Sequence, residues 1–147
     1  MPKPRCYVAS PLGFTEAGRE YYDRVYLRAL AAVVEPVDPW SLERVTPLDA
    51  SDRECALAIG RANAEAIRSC ELLVADLDGQ EPDSGTVAEL GYAAALGLRC
   101  FGLRSDLRQS GEPGVAVNLQ VETFVVDSGG TMVATLKELV AALGGDN

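Results

Sequence analysis

The chain has 147 residues, a length that favours one domain over residues 1–147 with a single sizeable core. Its net charge of −9 argues against nucleic acid or an anionic membrane as the main partner, and no apolar run is long enough to cross a bilayer. Histidine is absent, which excludes Ser-His-Asp and Cys-His catalysis and the common zinc sites. The four cysteines have neither close pairing nor metal-ligand spacing, so we expect reduced thiols in a cytoplasmic protein.

Apolar periodicity predicts strands and helices that alternate along the chain. In the first half it predicts a strand over 6–10, a helix over 15–34, a short strand over 34–37 and a helix over 49–69. In the second half it predicts strands over 72–77, 99–103 and 121–126, a helix over 84–98, and a final helix carrying Met132, Leu136, Leu139, Val140 and Leu143. The predicted fold is α/β, a Rossmann-like (flavodoxin-like) five-stranded parallel sheet with helices on both faces. Ligands in such folds bind beyond the carboxyl ends of the strands.

The most informative stretch is 83–97, which reads Asp-Ser-Gly-Thr-Val-Ala-Glu-Leu-Gly-Tyr-Ala-Ala-Ala-Leu-Gly. It predicts a small, apolar helix on which Glu89 is the only charged side chain. Such a helix is normally buried, so its lone carboxylate must be compensated or must face a cavity. Asp83 comes just before the helix, and two carboxylates at a strand-to-helix junction indicate chemistry on a polar small molecule. The residues alone leave another interpretation open, in which Glu89 pairs with an arginine and Asp83 merely caps the helix.

A carboxylate held in an apolar wall can attack an anomeric carbon and form a covalent glycosyl-enzyme through an oxocarbenium-like state. The chain contains neither a G-x-G-x-x-G fingerprint nor a Walker A sequence, so dinucleotide and nucleoside triphosphate binding lack support. Glycoside chemistry at Glu89 is therefore the stronger hypothesis.

Residues 83–97 resemble the signature of the nucleoside 2-deoxyribosyltransferases and the related nucleotide N-glycosidases. Residues 6–14, Cys-Tyr-Val-Ala-Ser-Pro-Leu-Gly-Phe, resemble the first strand and loop of that family, and Val117-Asn118-Leu119 resembles its Asn-containing segment after the fourth strand. The likeness extends over most of the chain. The Rossmann-like parallel sheet of the family agrees with the fold predicted from periodicity.

The resemblance implies a role for each matching residue. Glu89 matches the nucleophile that attacks C1′ of deoxyribose, Asp83 the residue that binds the sugar hydroxyl, and Tyr7 a tyrosine that positions the nucleophile. Asn118 matches an asparagine that reaches a neighbouring subunit's site and binds the 5′ end of the sugar, which implies a homo-oligomer with shared active sites. Phe14 is expected to contact the base. The residues alone favour a buried strand aromatic for Tyr7, and they leave open a polar turn residue for Asn118 and a core residue or loop anchor for Phe14.

Asn63 departs from the family pattern, because transferases usually carry at that position an aspartate that binds and protonates the base. An amide can hydrogen-bond a base edge but cannot supply a proton. Purines accept a proton readily at ring nitrogen, so we expect purine deoxynucleosides to be the better donors. Trp40 is expected to lie over the base or to pack its own loop, and Ser10 and Gly13 would line a phosphate pocket if the substrate is a nucleotide.

The sequence thus predicts an enzyme that passes 2-deoxyribose from a small-molecule deoxynucleoside to another nucleobase, with no metal or cofactor, in the context of purine salvage. One alternative is an N-glycosidase that hydrolyses nucleoside or deoxynucleoside 5′-monophosphates. The other is a non-catalytic nucleotide-binding module of the same fold.

Overall fold

The computed structural model describes residues 1–44 and 46–145. Within them the chain forms one five-stranded sheet in which every pairing is parallel, in the order β2-β1-β3-β4-β5. The strands are β1 (Arg5–Ala9), β2 (Glu35–Val37), β3 (Leu72–Asp76), β4 (Arg99–Leu103) and β5 (Met132–Val133). This strand order is the flavodoxin-like one, so the predicted fold class is confirmed.

The helices of the described residues are α1 (Glu16–Tyr21), α2 (Leu27–Ala31), α3 (Asp52–Arg68), α4 (Ser84–Ala95), α5 (Leu119–Asp127) and α6 (Leu136–Gly144). A π-helical turn, Tyr22–Tyr26, joins α1 to α2, so the helix predicted over 15–34 is continuous but widened at its centre. None of these helices is both long and apolar enough to traverse a bilayer.

The core lies on both faces of the sheet because successive strand residues point to opposite sides. Tyr7, Leu73 and Ala75 pack towards α3, α4 and α5. Val8 and Val74 pack towards the π-helical turn, α2 and α6. Helices therefore cover both faces, as predicted.

Residues 121–126 were predicted to be the last strand, and this prediction is wrong because they lie within α5. The Asn118 side chain accepts a hydrogen bond from the Gln120 amide and begins the helix. Val125 is fully buried, and the ring of Phe124 lies against Gly91 of α4, where an added Cβ would stand 3.6 Å from Cε2. Packing of one helical face against α4 thus outweighs the β-propensity of a segment rich in valine and phenylalanine.

The last strand is instead β5, whose Met132 pairs with Gly102 of β4. The prediction that the final helix carries Met132 is therefore wrong. That helix begins at Leu136, where Thr135 and Glu138 form a capping box. Its predicted core residues Leu139 and Leu143 are fully buried.

Candidate active site

A cavity of about 290 Å³ opens at the carboxyl edge of the sheet, beside the point where the chain order reverses between β1 and β3. It is bounded by the loops after β1 and β2, by α3, and by the start of α4. This is where open α/β sheets bind their ligands, because neighbouring loops there diverge to opposite faces. A larger hollow of about 560 Å³ lies over 109–116, but among its lining residues none carries a charge.

The cavity brings together six of the nine residues that the sequence singled out. These are Ser10, Phe14, Trp40, Asn63, Asp83 and Glu89. Two others support its wall from outside: Tyr7 contacts Glu89, and Gly13 lies against Trp40. Sequence reasoning missed Pro39, Arg44, Ile59, Gly85 and Thr86, which also line it.

Glu89 is held by a tyrosine. The fully buried Tyr7 hydroxyl donates a hydrogen bond to Glu89 Oε2. Burial raises the pKa of the Glu89 carboxyl, the hydrogen bond from Tyr7 lowers it, and the charge of Asp83 raises it, leaving a net upward shift. Burial and the neighbouring Glu89 raise the pKa of Tyr7, so the shared proton stays on the tyrosine. Among the described residues no arginine forms an ion pair with Glu89.

Asp83 combines two roles. Its Oδ2 accepts hydrogen bonds from the amide nitrogen of Thr86 at 2.9 Å and from the Thr86 hydroxyl at 3.1 Å, which caps α4. The same carboxylate lines the cavity, and Oδ1 has no hydrogen-bond partner in the described part of the chain. Capping therefore fixes the direction of the side chain and leaves one oxygen for a ligand.

Asn63 projects from α3 into the lining of the cavity. Its Oδ1 atom is buried and has no hydrogen-bond partner among the residues of the structure that are described. Buried acceptors without a partner are rare in folded proteins, because the lost hydration is not replaced. The amide oxygen is thus available to a donor group on a ligand.

An aromatic wall faces these polar groups. The ring centroids of Trp40 and Phe14 lie 4.9 Å apart at an interplanar angle of 78°, and the Arg19 guanidinium lies 4.5 Å from the centroid of Trp40. A Cβ at Gly13 would stand 2.4 Å from Trp40 Cε2, so only glycine lets the indole ring lie this close. Phe14 remains 72% exposed, which leaves its ring free to contact a planar ligand.

Ser10 lies at the end of β1 beside a buried carboxylate. Its hydroxyl donates to Asp76 Oδ2 at 3.5 Å and accepts from the Leu12 amide at 3.1 Å. Asp76 is only 2% exposed, and burial raises its pKa from 3.8 to about 6. A carboxylate at the carboxyl end of an otherwise apolar strand was the sequence signal that could have identified it.

The family model for nucleoside 2-deoxyribosyltransferases matches residues 6–139. The chain belongs to the nucleoside 2-deoxyribosyltransferase family. A 2-desoxiribosyltransferase from Leishmania mexicana is 26% identical, with 98% of each chain covered and a TM-score of 0.70. A conserved protein from Enterococcus faecalis V583 is 24% identical over 99% of each chain, with a TM-score of 0.76. No curated protein sequence matches the chain.

The CMP N-glycosidase BcmB from Clostridium botulinum is 18% identical, with 95% of this chain and 97% of that chain covered and a TM-score of 0.58. At that identity, as for the Enterococcus protein, the likeness shows the fold alone. Membership of the deoxyribosyltransferase family confirms the prediction of an enzyme with this or a related N-glycosidase activity. The family acts on nucleosides and nucleobases, which are small molecules.

Asn118, which the resemblance singled out, lies outside the cavity lining, and so does the buried Arg104. Asn118 is exposed and caps α5. Arg104 is 6% exposed and donates to the carbonyls of Leu77 at 2.6 Å and Gly79 at 2.9 Å. Arg104 therefore ties down the loop between β3 and α4 that leads to Asp83.

Proposed function

We propose that this protein transfers 2-deoxyribose between nucleobases, with Glu89 as the nucleophile. The observation that carries the proposal is the position of the Glu89 carboxylate in the wall of the cavity. Its Oε2 accepts a hydrogen bond from Tyr7, and Asp83 lines the same cavity. Oε1 has no hydrogen-bond partner among the described residues, which leaves one oxygen free to form a bond to carbon.

The reaction has two displacements. In the first, Glu89 Oε1 bonds to C1′ while the C1′–N bond breaks and its electron pair leaves with the base. In the second, a nitrogen of the incoming base bonds to C1′ and the Glu89 carboxylate is released. Two inversions give net retention at C1′. The negative charge of Glu89 stabilises the oxocarbenium character that develops between the two bonds.

The other cavity residues position the substrate. Asp83 Oδ1 is free to accept from a sugar hydroxyl, because Oδ2 is committed to the helix cap. Phe14 and Trp40 offer an aromatic face to the base, and Asn63 offers its unpartnered oxygen to a base N–H group.

The charges of the cavity favour a nucleoside over a nucleotide. Its described lining carries two carboxylates, Asp83 and Glu89, against one guanidinium, Arg44. The Ser10 hydroxyl, which was the predicted phosphate ligand, lies next to the carboxylate of Asp76. A phosphate at Ser10 would therefore meet a like charge, so hydrolysis of a 5′-monophosphate is the weaker candidate.

We propose further that the active enzyme is a homo-oligomer in which Asn118 completes a neighbour's site. Asn118 is exposed and does not line the cavity of its own chain. The first half of α3 also exposes the small and apolar residues Ala56, Leu57 and Gly60. A helix face of this kind suits contact with a second copy of the chain.

Product analysis tests the transfer reaction. The enzyme is incubated with deoxyinosine and free adenine, and we expect deoxyadenosine and hypoxanthine by chromatography. Glu89→Gln should lose activity by several orders of magnitude and should form no covalent deoxyribosyl adduct in intact-protein mass spectrometry. Glu65→Gln is the matched control, because Glu65 is exposed on α3 and pairs with Arg68. Substantial transfer by folded Glu89→Gln would overturn the mechanism.

Complementation tests the shared site. Glu89→Gln and Asn118→Ala are each expected to be inactive, but in a mixed oligomer the second variant supplies Glu89 and the first supplies Asn118 to one intact site. Recovery of activity on mixing is the expected result. A monomer by sedimentation that retains full activity would contradict it.

A further inference from the structure

Arg44 is a cavity residue for which the reaction above has no use. It lies in the segment between β2 and α3 and lines the cavity together with Asn63. One nitrogen of its guanidinium, Nη2, donates to the carbonyl of Pro39 at 2.9 Å. The other N–H groups of the guanidinium have no partner in the described residues.

Asn63 presents the opposite hydrogen-bonding character on the same cavity. Its buried Oδ1 is an acceptor without a partner in the described part of the chain, whereas the Arg44 guanidinium has only donors. A ligand that satisfies both must offer acceptors to the guanidinium and an N–H group to the amide oxygen. A 6-oxopurine has this pattern, with adjacent acceptors at O6 and N7 and a donor at N1. A 6-aminopurine places an amino donor where the guanidinium needs an acceptor.

We propose that Arg44 binds the O6 and N7 edge of a 6-oxopurine donor, that Asn63 accepts from its N1–H group, and that this pair selects 6-oxopurines over 6-aminopurines. The inference rests on the proposed transfer of deoxyribose. It also gives Arg44 a part in the chemistry, because the family's usual acid is replaced at Asn63.

The electron pair of the breaking C1′–N9 bond stays on N9 and spreads through the purine ring to O6 and N7. The Arg44 guanidinium stabilises that charge without giving up a proton, and Asn63 has no proton to give. The departing base then takes its proton from water. The incoming base attacks through a neutral ring nitrogen and releases its proton to water, so protons balance over the cycle.

The test compares Arg44→Met with the wild-type enzyme on two donors, deoxyinosine and deoxyadenosine, by kcat/KM and by single-turnover release of the base. We expect the variant to lose roughly ten- to hundredfold on deoxyinosine and far less on deoxyadenosine. Arg44→Lys should recover part of the loss, because it keeps the charge but not the planar fork.

The matched control is Arg61→Met, because Arg61 is exposed on α3 and lines a different groove. Thermal melting confirms that each variant folds. Equal losses on both donors, or no loss on either, would overturn the inference while leaving the transfer reaction intact. Deoxyinosine 5′-monophosphate is assayed as a third donor, and a loss confined to it would also overturn the inference, since the guanidinium would then bind phosphate. Failure of the wild-type enzyme to release base from either donor would instead refute the proposed function.

Discussion

Removing the Tyr7 hydroxyl tests how its hydrogen bond affects the pKa of Glu89. In Tyr7→Phe the hydrogen bond to Glu89 Oε2 is lost, while the burial of Glu89 and the charge of Asp83 remain. That hydrogen bond stabilises the ionised carboxylate, and the two remaining influences both disfavour it. The pKa of Glu89 should therefore rise further above its ordinary value.

The size of the effect follows from the kind of hydrogen bond. A hydrogen bond to a charged group contributes about 1.5–3 kcal/mol, and Tyr7→Phe withdraws a contribution of that size from the ionised carboxylate. We therefore expect the pKa of Glu89 to rise in Tyr7→Phe. Because only the ionised carboxylate attacks C1′, activity is lost as pH falls through this pKa. The acid limb of the rate profile should therefore move to higher pH.

Single-turnover release of the base, measured from acid to neutral pH, is the suitable assay because it reports the first displacement alone. Tyr92→Phe is the matched control, since Tyr92 also lies on α4 but its ring lies against the Arg68 guanidinium, and in the described residues its hydroxyl forms no hydrogen bond with Glu89. An acid limb that stays in place in Tyr7→Phe would show that Tyr7 does not stabilise the charged nucleophile. If the acid limb also moves to higher pH in Tyr92→Phe, the shift would reflect a general loss of helix packing.

Two shorter predictions concern the walls of the cavity. Asp83→Asn keeps an oxygen for the α4 cap, so the melting temperature of the variant should change little. Because the sugar is misplaced by about 1 Å, kcat/KM should fall about a hundredfold. Wild-type kinetics in this variant would show that Asp83 only caps the helix. Gly13→Ala places a Cβ 2.4 Å from Trp40 Cε2, so the ring must move. The fluorescence of Trp40, the only tryptophan, should change and KM should rise, and unchanged emission would contradict this.

Periodicity predicted most of the fold because the central strands are buried on both faces. Residues 72–76 are continuously buried, and an apolar run of that length between polar segments has few possible structures other than a buried strand. The errors arose where local pattern carries little information. The two residues of β5 are too few to show a period, and the burial of Val125 in α5 depends on α4, which is distant in sequence.

The site was predictable in proportion to how unusual each residue is in its own surroundings. Glu89 stood out as a lone charge on an apolar helix, and the structure places it at a cavity. Tyr7 was recognised only through the family resemblance, because a buried tyrosine in a strand is ordinary. Arg44 could not be found from the sequence, since an arginine in a polar loop normally faces solvent and only the folded chain brings it to the cavity that Asn63 also lines.

The buried carboxyl of Asp76, at the carboxyl edge of the sheet, lowers the stability of the fold when it ionises. Its folded-state pKa of about 6, against an ordinary 3.8, means that the native state keeps this proton between about pH 4 and pH 6 while the unfolded state releases it. Stability therefore falls as pH rises through that window, by up to about 3 kcal/mol for a shift of this size. Asp76→Asn keeps an acceptor for the Asp78 amide, so it should be more stable than wild type at pH 7, with the advantage fading towards pH 4. Urea unfolding at both pH values, with exposed Asp127→Asn as control, measures this difference. An equal gain at both would mean that packing, and not the buried charge, is responsible.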